Sequence, residues 1–335
     1  MSDSAVSVAV FGASGYAGAL AAHLLWRHPC FDLVAVTSRT DAGRRLHELY
    51  PRHRVPLTLQ EGDVERVGDI DAALVAYPHG ASAPVVAALR ERGARVVDLS
   101  ADFRLHDLER YERWYGSHAA PALLDGAVYG LTELRREEVA GADLVANPGC
   151  YPTAALLALA PLARAGAMAD VILDAKSGVS GAGREANQTT HFVSADENVS
   201  PYGVAGHRHA PEIDQELEAL GAPVRPTFIP HLLPLDQGEL VSCYVTPRRE
   251  LDQAELRELY ADAYAGETFI ELPEDPPGVR DVRDTNICRM SVHVDGHSTR
   301  LIVFAVIDNL WKGAASQAVQ NLNLMFGRPE GEGIS

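Results

Sequence analysis

One cysteine stands among residues that favour chemistry over packing. Cys150 lies in the segment NPGCYPT, after an apolar strand-like run and before the apolar run AALLALAPLARAG. A lone cysteine is more often a small buried hydrophobe, but packing would not require the glycine and prolines around it. Pro152 suits a first helical turn, which places Cys150 at or just before a helix N-terminus. There the helix dipole and free amides lower a thiol's pKa toward the thiolate and can stabilise an oxyanion, as a covalent nucleophile needs.

Two histidines lie two residues apart in the segment GHRHAPEI, just before a predicted helix. Because imidazole is well matched to proton transfer near neutral pH, one could act as a general base while the other anchors a substrate. We assign the base to His209, which lies next to the helix start at Pro211, and the anchor to His207. Solvent-facing loop histidines and half of a metal site are the alternatives. Metal is the least favoured, because no cysteine or acidic residue stands at ligand spacing.

A glycine-rich turn follows the first predicted strand. The turn reads GASGYAG from Gly12, so that Ser14, Gly15 and Tyr16 precede a predicted helix. Glycines let a backbone approach a pyrophosphate closely, and a helix N-terminus offers unpaired N–H groups and a partial positive charge. The spacing is GxxGxxG, so a tight turn without a ligand is the alternative. Its position at the first strand-to-helix junction favours a dinucleotide.

The residues at the end of the second predicted strand indicate whether the dinucleotide is NAD(H) or NADP(H). NAD-preferring folds carry an acidic residue there, which bonds the ribose 2′-hydroxyl, whereas this chain has Ser38 and Arg39. A hydroxyl and a guanidinium can bind a 2′-phosphate that a carboxylate would repel. The pattern therefore favours NADP(H). The alternative for Arg39 is a solvated loop charge, and Asp41 is nearby.

Two further segments combine an arginine with small residues that permit close approach of an anion. Arg104 ends LSADFR, and Arg184 ends SGVSGAGR, which begins at Ser177 and Gly178. Arginine binds phosphate or carboxylate with two parallel hydrogen bonds. Both segments are predicted to contact a ligand, with Ser177 and Gly178 contacting the cofactor, and ordinary surface ion pairs are the alternative for the two arginines.

The bulk composition limits the partners. The chain has 335 residues, 47% of them hydrophobic, which is enough for two cores. Its net charge of −17 argues against nucleic acid or an anionic membrane surface as a partner. No signal peptide or membrane-length apolar run is evident, so a cytoplasmic location is expected. The four cysteines lack a CxxC pair, which predicts neither disulfides nor zinc; Cys30, Cys243 and Cys288 are expected to be packing residues.

The elements that must position these side chains are of two kinds. Before Cys150, short β-branched runs alternate with helical segments, as in a doubly wound parallel sheet. The predicted strands there are Val6 to Phe11, Leu33 to Thr37, Ala73 to Ala76, Val96 to Asp98 and Leu144 to Ala146, with helices at Gly18 to Trp26 and Ala83 to Arg92. After Cys150, longer alternating runs predict a mixed or antiparallel sheet. The predicted strands there are Val171 to Lys176, Val224 to Ile229, Leu240 to Val245, Met290 to Val294 and Arg300 to Ile307.

Three helical features complete the prediction for the second half. Leu251 to Tyr264 and Trp311 to Met325 are predicted helices, and Pro161 predicts a kink or break in the helix that follows Cys150. The tail GRPEGEGIS is expected to be frayed. The predicted fold class is α/β, with a doubly wound parallel sheet and a second, mixed-sheet α/β domain.

Six segments together resemble one enzyme family. GASGYAG, LSADFR, NPGCYPT, KSGVSGAGR, GHRHAPEI and AIDNLWKGAASQA are similar to the N-acetyl-gamma-glutamyl-phosphate reductases of arginine biosynthesis, relatives of the aspartate-semialdehyde dehydrogenases. The resemblance runs from about Val6 to about Pro329. Trp311, where an aliphatic residue is usual, and Thr132, where proline is usual, depart from the pattern without touching the predicted chemistry.

The resemblance implies an architecture and a reaction. The Rossmann domain would span residues 1–149 and be completed by the helix 310–326, and residues 150–309 would form the catalytic and oligomerisation domain of a homodimer or homotetramer. NADPH would bind between the domains, with Asn309 near the nicotinamide. Cys150 would be the nucleophile, Arg104 and Arg184 would bind phosphate or carboxylate, and the second histidine would be the base. The substrate would be a small acyl phosphate, converted through a cysteine thioester to an aldehyde with release of inorganic phosphate.

Three rival functions remain at this level. The first is reduction of aspartyl phosphate, and the second is reduction of a carrier-linked glutamyl or aminoadipyl phosphate. The carrier-linked reductases differ around the cysteine, so the Tyr-Pro-Thr after Cys150 favours the acetylglutamate substrate. The third is a non-catalytic dinucleotide sensor, which has no use for a cysteine at a helix start or for paired histidines.

Overall fold

Two seven-stranded sheets, one in each of two units, carry the fold. The computed structural model describes residues 5–334. Of these, residues 5–148 and 314–334 belong to the first unit, and residues 149–313 form the second. The predicted fold class is confirmed, because the first sheet is parallel and the second is mixed.

The first unit alternates strands with helices along the chain. Its strands are β1 (Val6–Phe11), β2 (Phe31–Thr37), β3 (Leu59–Gln60), β4 (Ala72–Val75), β5 (Arg95–Asp98), β6 (Ala127–Tyr129) and β7 (Leu144–Ala146). Its helices are α1 (Tyr16–Trp26), α2 (Leu46–Leu49), α3 (Val64–Val67), α4 (Ala83–Glu91), α5 (Leu108–Tyr115), α6 (Thr132–Ala140) and, at the C-terminus, α11 (Ser316–Met325). Short 3₁₀ turns cover Pro51–His53 and Pro121–Gly126.

The order of the parallel strands locates a ligand crevice. The sheet runs β3-β2-β1-β4-β5-β7-β6, so the direction of winding reverses between β1 and β4. In open α/β sheets, ligands bind beyond the carboxyl ends of the strands at this switch point. The glycine turn that begins at Gly12 directly follows β1 and therefore lies at this position. The C-terminal helix α11 packs against α1, α6 and β5 of the same unit.

The second unit contains the mixed sheet and the helices that cover it. Its strands are β8 (Met168–Gly178), β9 (Ser200–Pro201), β10 (Thr227–Leu233), β11 (Glu239–Pro247), β12 (Ile270–Glu271), β13 (Cys288–Val294) and β14 (Leu301–Ile307), in the order β12-β13-β14-β11-β8-β10-β9. Its helices are α7 (Cys150–Arg164), α8 (Phe192–Ala195), α9 (Ala210–Ala219) and α10 (Gln253–Ala263). Short 3₁₀ turns cover Val179–Ala182 and Val279–Val282, and a π-helical turn covers Trp311–Ala315.

Helix α7 is the centre of the second unit's core. Residues 151–163 of this helix are all buried, and the helix packs against β8, β11, β13 and β14. Of the kink or break predicted at Pro161, the break is wrong, since the helix continues to Arg164. Pro161 lacks the N–H that would bond the Leu157 carbonyl, and the Tyr264 hydroxyl donates to that carbonyl instead. A distant side chain thus supplies the missing donor.

Several predicted boundaries and one terminus are also wrong. The strand expected at Val224 begins at Thr227 and extends to Leu233, and the sequence patterns missed the short strands β3, β6, β9 and β12. The predicted fraying of the tail is contradicted. Asn323 Nδ2 donates to the Glu330 carbonyl at 3.0 Å, and the Glu330 carboxylate lies 2.6 Å from Arg136. Polar residues in the tail therefore bind specific partners, which composition alone does not reveal.

Candidate active site

The thiol of Cys150 lies at the start of the buried helix α7. Gly149 is the N-cap residue and Cys150 the first helical residue, as the sequence predicted. The Gly149 N–H donates to Glu212 Oε1 at 2.9 Å, and the Thr153 N–H donates to the Gly149 carbonyl at 2.9 Å. These two bonds fix the turn that carries the thiol. Cys150 is thus half-buried, while its backbone is held in place.

A glycine makes room beside the nucleophile. A Cβ built at Gly313 would lie 2.7 Å from the Cys150 Cβ, closer than real side-chain atoms approach. The Gly313 N–H donates to the Asp308 carbonyl at 2.9 Å, within the turn that leaves β14. The chain therefore passes Cys150 at a distance that only glycine allows.

Both histidines lie next to the residue that follows the nucleophile. The ring centroid of Tyr151 lies 5.8 Å from that of His207 and 5.9 Å from that of His209, and the two imidazoles are 4.9 Å apart. Both histidines are partly buried, so the alternative of solvent-facing loop residues is wrong. His209 is the N-cap residue of α9, and Pro211 lies in its first turn. The hydroxyl of Tyr202 donates to that of Tyr151 at 3.1 Å and extends the cluster.

The protonation state of His207 follows from its contacts. Its Nδ1 accepts the backbone N–H of His209 at 3.1 Å, so the neutral ring carries its proton on Nε2. Burial lowers the pKa of His207 to about 4, with Arg208 acting in the same direction. His207 is therefore neutral at pH 7 and can hold a substrate as a hydrogen-bond donor, but not as a cation.

An acidic residue that the sequence analysis missed is buried at the start of β11 in the second unit. Glu239 begins β11 and is 0% exposed. Burial raises the pKa of this carboxyl to about 8. The available signal was a single acidic residue at the head of the apolar run ELVSCYV. Glu212 was missed as well, because a glutamate in a first helical turn is common and does not by itself indicate a partner.

The cofactor residues predicted in the second unit are occupied by contacts within the chain. Asn309 donates to Ser180 Oγ at 3.0 Å and accepts the Gly238 N–H at 2.7 Å, so both ends of its amide hold loops together. A Cβ at Gly178 would lie 2.7 Å from the Asp236 carbonyl oxygen, which explains that glycine by packing. Ser177 is buried beside it. Their contact with a dinucleotide stays a prediction.

The two predicted anion-binding arginines differ in their surroundings. Arg104 is 7% exposed, and its guanidinium donates to the carbonyls of Asn147 and Leu99, both at 2.8 Å. It is therefore no surface ion-pair residue, and part of its donor capacity supports the backbone. Arg184 is exposed. For both arginines, ligand binding stays a prediction.

Each glycine of the first turn has its own physical reason. Gly12 has a φ of +88°, and a Cβ there would lie 2.7 Å from the Ala76 carbonyl oxygen. A Cβ at Gly18 would collide with the Gly12 carbonyl oxygen. At Gly15, by contrast, a Cβ would meet only that same carbonyl oxygen, at an ordinary 3.6 Å. Packing within the chain thus explains Gly12 and Gly18, whereas the bare backbone at Gly15 suits the close approach of a pyrophosphate.

Hydroxyl groups connect this turn with the end of β2. Ser14 Oγ lies 2.8 Å from Ser38 Oγ, and the Tyr50 hydroxyl donates to the Ser14 carbonyl at 2.7 Å. Tyr16 begins α1 and packs edge-on against Tyr50. Arg39 is exposed, and its guanidinium carbon lies 6.0 Å from the centre of the Tyr77 ring. The residues predicted to bind the pyrophosphate and the 2′-phosphate are thus neighbours in the fold.

The three thiols other than that of Cys150 differ in how far they are buried. Cys243 and Cys288 are fully buried in the second sheet, as expected of packing residues, while Cys30 is half-buried. Among residues 5–334, no group of three or more histidine, cysteine or acidic side chains is arranged to hold a metal ion. Within the same range, none of the helices combines the length and apolar character that crossing a membrane requires.

The sequence is similar to characterised families along nearly its whole length. Residues 7–142 match the NAD binding domain of semialdehyde dehydrogenases, and residues 150–309 match their dimerisation domain. The N-acetyl-gamma-glutamyl-phosphate reductase of Moorella thermoacetica is 48% identical over 97% of this chain and 96% of its own. The Halorhodospira halophila protein of the same name is 48% identical over 98% of both chains.

Solved structures share the fold at low sequence identity. Aspartate semialdehyde dehydrogenase II from Vibrio cholerae, complexed with ASA, superposes with a TM-score of 0.73 at 21% identity, covering 97% of this chain and 99% of that one. Aspartate semialdehyde dehydrogenase from Candida albicans, crystallised with NADP, gives 0.72 at 14% identity, covering 96% and 99%.

Proposed function

The chain belongs to the family of N-acetyl-gamma-glutamyl-phosphate reductases, and we propose that it carries out the reaction for which they are named. In this reaction, N-acetyl-gamma-glutamyl phosphate is reduced to N-acetylglutamate semialdehyde with release of inorganic phosphate, as a step of arginine biosynthesis. The enzyme is an NADP-dependent oxidoreductase. One observation carries the proposal: a half-buried thiol begins helix α7, and two histidines lie around the adjacent Tyr151.

The thiol makes the difficult reduction possible by covalent catalysis. The Cys150 thiolate attacks the acyl carbon, the bond to the phosphate oxygen breaks, and a thioester forms as inorganic phosphate leaves. A thioester carbonyl accepts hydride far more readily than a carboxylate would. The N-terminus of α7 favours both the thiolate and the oxyanion of the tetrahedral intermediate. After reduction, the thiohemiacetal collapses to the aldehyde and frees the sulfur.

The first unit fits the cofactor. Gly12, Ser14, Gly15 and Tyr16 would hold the pyrophosphate at the start of α1, because the backbone at Gly15 has no side chain in the way. Ser38 and the exposed Arg39 would bind the 2′-phosphate. When bound, NADPH supplies the hydride for the reduction. We also propose Ser177, Gly178 and Asn309 as cofactor contacts from the second unit.

The two histidines have different proposed roles, one in proton transfer and one in substrate binding. We propose His209 as the general base and His207 as a neutral donor that holds a polar group of the substrate. The lowered pKa of His207 supports this division, because a ring that stays neutral does not titrate in the working range. Arg104 and Arg184 are proposed to bind the phosphate or carboxylate groups of the substrate.

The assembly and location belong to the same proposal. The second unit matches a dimerisation domain, which supports an oligomer. We propose a homodimer or homotetramer, which sedimentation analysis would identify. A cytoplasmic location agrees with the four free cysteines, because reduced thiols persist there. Cell fractionation would test it, and recovery of the protein outside the cytoplasm would contradict it.

One assay tests the function directly. Phosphate-dependent reduction of NADP is measured with N-acetylglutamate semialdehyde and, as the matched control, with aspartate semialdehyde. The proposal expects turnover with the first aldehyde and at least about 100-fold lower kcat/KM with the second. Preference for aspartate semialdehyde would instead identify an aspartyl phosphate reductase. Cofactor binding without turnover of either aldehyde would favour a sensor.

A further inference from the structure

A cluster of buried polar side chains that the proposed reaction does not use lies in the first unit, where the C-terminal helix α11 packs against α6. Each of its members is at most 1% exposed, and they are Thr132, Asn147, Gln317 and Asn321. Buried polar groups cost free energy unless hydrogen bonds compensate them. The cluster therefore requires an explanation in terms of what it holds together.

The hydrogen bonds of the cluster lead from Thr132 to Asn147. The Thr132 hydroxyl donates to Asn321 Oδ1 at 2.8 Å and accepts a hydrogen bond from Gln317 Nε2 at 3.0 Å. Asn321 Nδ2 in turn donates to Asn147 Oδ1 at 3.1 Å and to the Gly130 carbonyl at 2.8 Å. Both ends of the Asn321 amide are therefore occupied, and its orientation is determined.

A glycine provides the space for the Asn321 amide. A Cβ built at Gly130 would lie 2.5 Å from Asn321 Nδ2, closer than real side-chain atoms approach, and it would also collide with the Val145 side chain. Without that Cβ, the amide nitrogen reaches both the Gly130 carbonyl and Asn147. The chain thus brings a side chain of α11 to the residue that directly follows β7.

Asn147 is held by its backbone as well as by its side chain. Its Nδ2 donates to the Ala314 carbonyl at 3.1 Å, and its N–H donates to the Asp98 carbonyl at 2.8 Å. Its own carbonyl accepts a hydrogen bond from Arg104 Nε at 2.8 Å. Because Pro148 has no N–H, no donor on the other side of this peptide group can fix the plane of the carbonyl. The side-chain bonds of Asn147 therefore help to fix it, and α11 supplies one of them.

The carbonyl of Asn147 is one of two that orient the guanidinium of Arg104. The other is that of Leu99, which accepts a hydrogen bond from Nη2 at 2.8 Å. Leu99 and Asn147 directly follow the neighbouring strands β5 and β7, so the two carbonyls lie at the carboxyl ends of the strands, where ligands bind in sheets of this kind. Two bonds from different nitrogens fix the plane of the guanidinium. Bidentate binding of a phosphate or carboxylate depends on that plane.

We propose that Asn321 is a positioning residue of the anion site, which orients the Arg104 guanidinium through Asn147 toward the phosphate or carboxylate of the substrate. This inference rests on the anion-binding role proposed above for Arg104. Asn321 acts only through its neighbour and takes no part in the chemical step. The C-terminal helix therefore influences how tightly the anion binds, and the rate of the chemical step is left to the thiol site.

The test compares two buried amides of α11. Asn321→Ala removes the bond to Asn147, whereas Asn323→Ala, the matched control, removes bonds to the carbonyls of Glu330 and Glu332 in the C-terminal tail. Both variants lose buried hydrogen bonds, so both should unfold at a lower temperature than the wild type. A purely structural role of Asn321 would produce this loss of stability and nothing more.

The kinetic readout is the phosphate-dependent reduction of NADP, in which KM for inorganic phosphate and KM for the aldehyde are measured separately. Asn321→Ala should raise one of the two by about three- to tenfold, the loss expected for about one hydrogen bond, with kcat changed by less than about twofold. A rise for phosphate identifies the phosphate group as the ligand of Arg104, and a rise for the aldehyde identifies its carboxylate. Asn323→Ala should raise neither.

A double variant tests the path through the guanidinium. Arg104→Gln should raise the same KM as Asn321→Ala, and combining the two should cause no further increase, because the amide acts through Arg104. Circular dichroism confirms that each variant is folded. If Asn321→Ala does not fold, Thr132→Val takes its place, since it removes the hydroxyl that donates to Asn321 Oδ1.

Four results would overturn the inference: unchanged KM values in Asn321→Ala, an equal rise in Asn323→Ala, unchanged KM values in Arg104→Gln, or a further rise in the double variant. A fall in kcat alone would also overturn it, because the cluster would then act on the chemical step. The comparison is made with whichever aldehyde the enzyme prefers, so it is independent of the substrate proposed above. If neither aldehyde turns over, calorimetric Kd values for inorganic phosphate and N-acetylglutamate semialdehyde replace the KM values.

Discussion

The glycine turn of the first unit and the thiol site of the second are built in opposite ways. The turn is local: its glycines fall within seven residues, and a Cβ at Gly18 would collide with the Gly12 carbonyl oxygen. The thiol site is assembled from distant parts of the chain, since Glu212 binds the Gly149 amide across 63 residues of sequence. A local site can be disturbed by backbone changes within the turn, whereas an assembled site depends on the whole unit.

The difference extends to electrostatics. At the glycine turn, the groups predicted to bind the cofactor are backbone amides, hydroxyls and one exposed guanidinium, and they depend on the shape of the turn and on the sign of one charge. In the second unit, burial raises the pKa of Glu239 to about 8 and lowers that of His207 to about 4. The first region should therefore respond to substitutions of shape and charge, and the second should respond to pH as well.

The largest effect should come from the nucleophile. Cys150→Ser should lower turnover by at least about 1,000-fold, because an alcohol is a far weaker nucleophile at neutral pH. Serine has almost the same shape as cysteine, so the fold should be retained. A fluorescence titration should show almost unchanged NADPH affinity. That result would show that cofactor binding at the glycine turn does not depend on the thiol. Substantial remaining activity, or no acyl label trapped on Cys150 in the wild type, would contradict the covalent mechanism.

The histidines should give the next largest effect. His209→Asn should lower kcat by about 100-fold or more and remove the limb of the pH profile that reports the base. His207→Asn should mainly raise KM, because His207 has a pKa of about 4 and is neutral on both sides of pH 7. Steady-state kinetics between pH 6 and 9 distinguishes the two. Exchanged phenotypes would reverse the assigned roles.

A smaller and purely electrostatic effect is expected at the cofactor's 2′-phosphate. Arg39→Asp replaces a cation by an anion and should weaken NADPH binding by about tenfold or more, with little change for NADH. Arg39→Gln is the control that removes charge without reversing it, and its loss should be intermediate. If the variant bound NADPH and NADH more weakly by the same factor, Arg39 would stabilise the structure and would not bind the 2′-phosphate.

The smallest effect is a matched pair within the glycine turn. Gly18→Ala forces a Cβ against the Gly12 carbonyl and should lower the free energy of unfolding by about 1–3 kcal/mol. Gly15→Ala has space and an allowed backbone, with φ −77°, so its stability should change by less than about 0.5 kcal/mol while NADPH binds more weakly. Thermal unfolding and a binding titration measure both. Unchanged NADPH affinity in Gly15→Ala would show that the pyrophosphate does not bind at this turn.

Features that depend on neighbouring residues were determined by the sequence itself. The alternation of strands and helices, the helix that starts at Cys150 and the change to a mixed sheet after it all follow from short-range patterns, because side-chain periodicity and turn residues act over a few positions. The glycine turn belongs to this class as well. Short strands such as β3 and β12 were not predicted, because two residues are too few to show an alternation of apolar and polar side chains.

Other features were decided only by the tertiary structure. No local sequence pattern predicts that the Tyr264 hydroxyl donates to the Leu157 carbonyl, which lacks its helical partner because of Pro161. Nor does a local pattern predict that Gly313 leaves room for Cys150. Nor does the sequence show that Glu239, at the head of an apolar run, is fully buried, so that its pKa rises to about 8. Each of these depends on which distant segments meet, and on how much water is excluded where they meet. The sequence specifies the type of each residue, but the pKa of its side chain and the groups it contacts are determined by the surrounding fold.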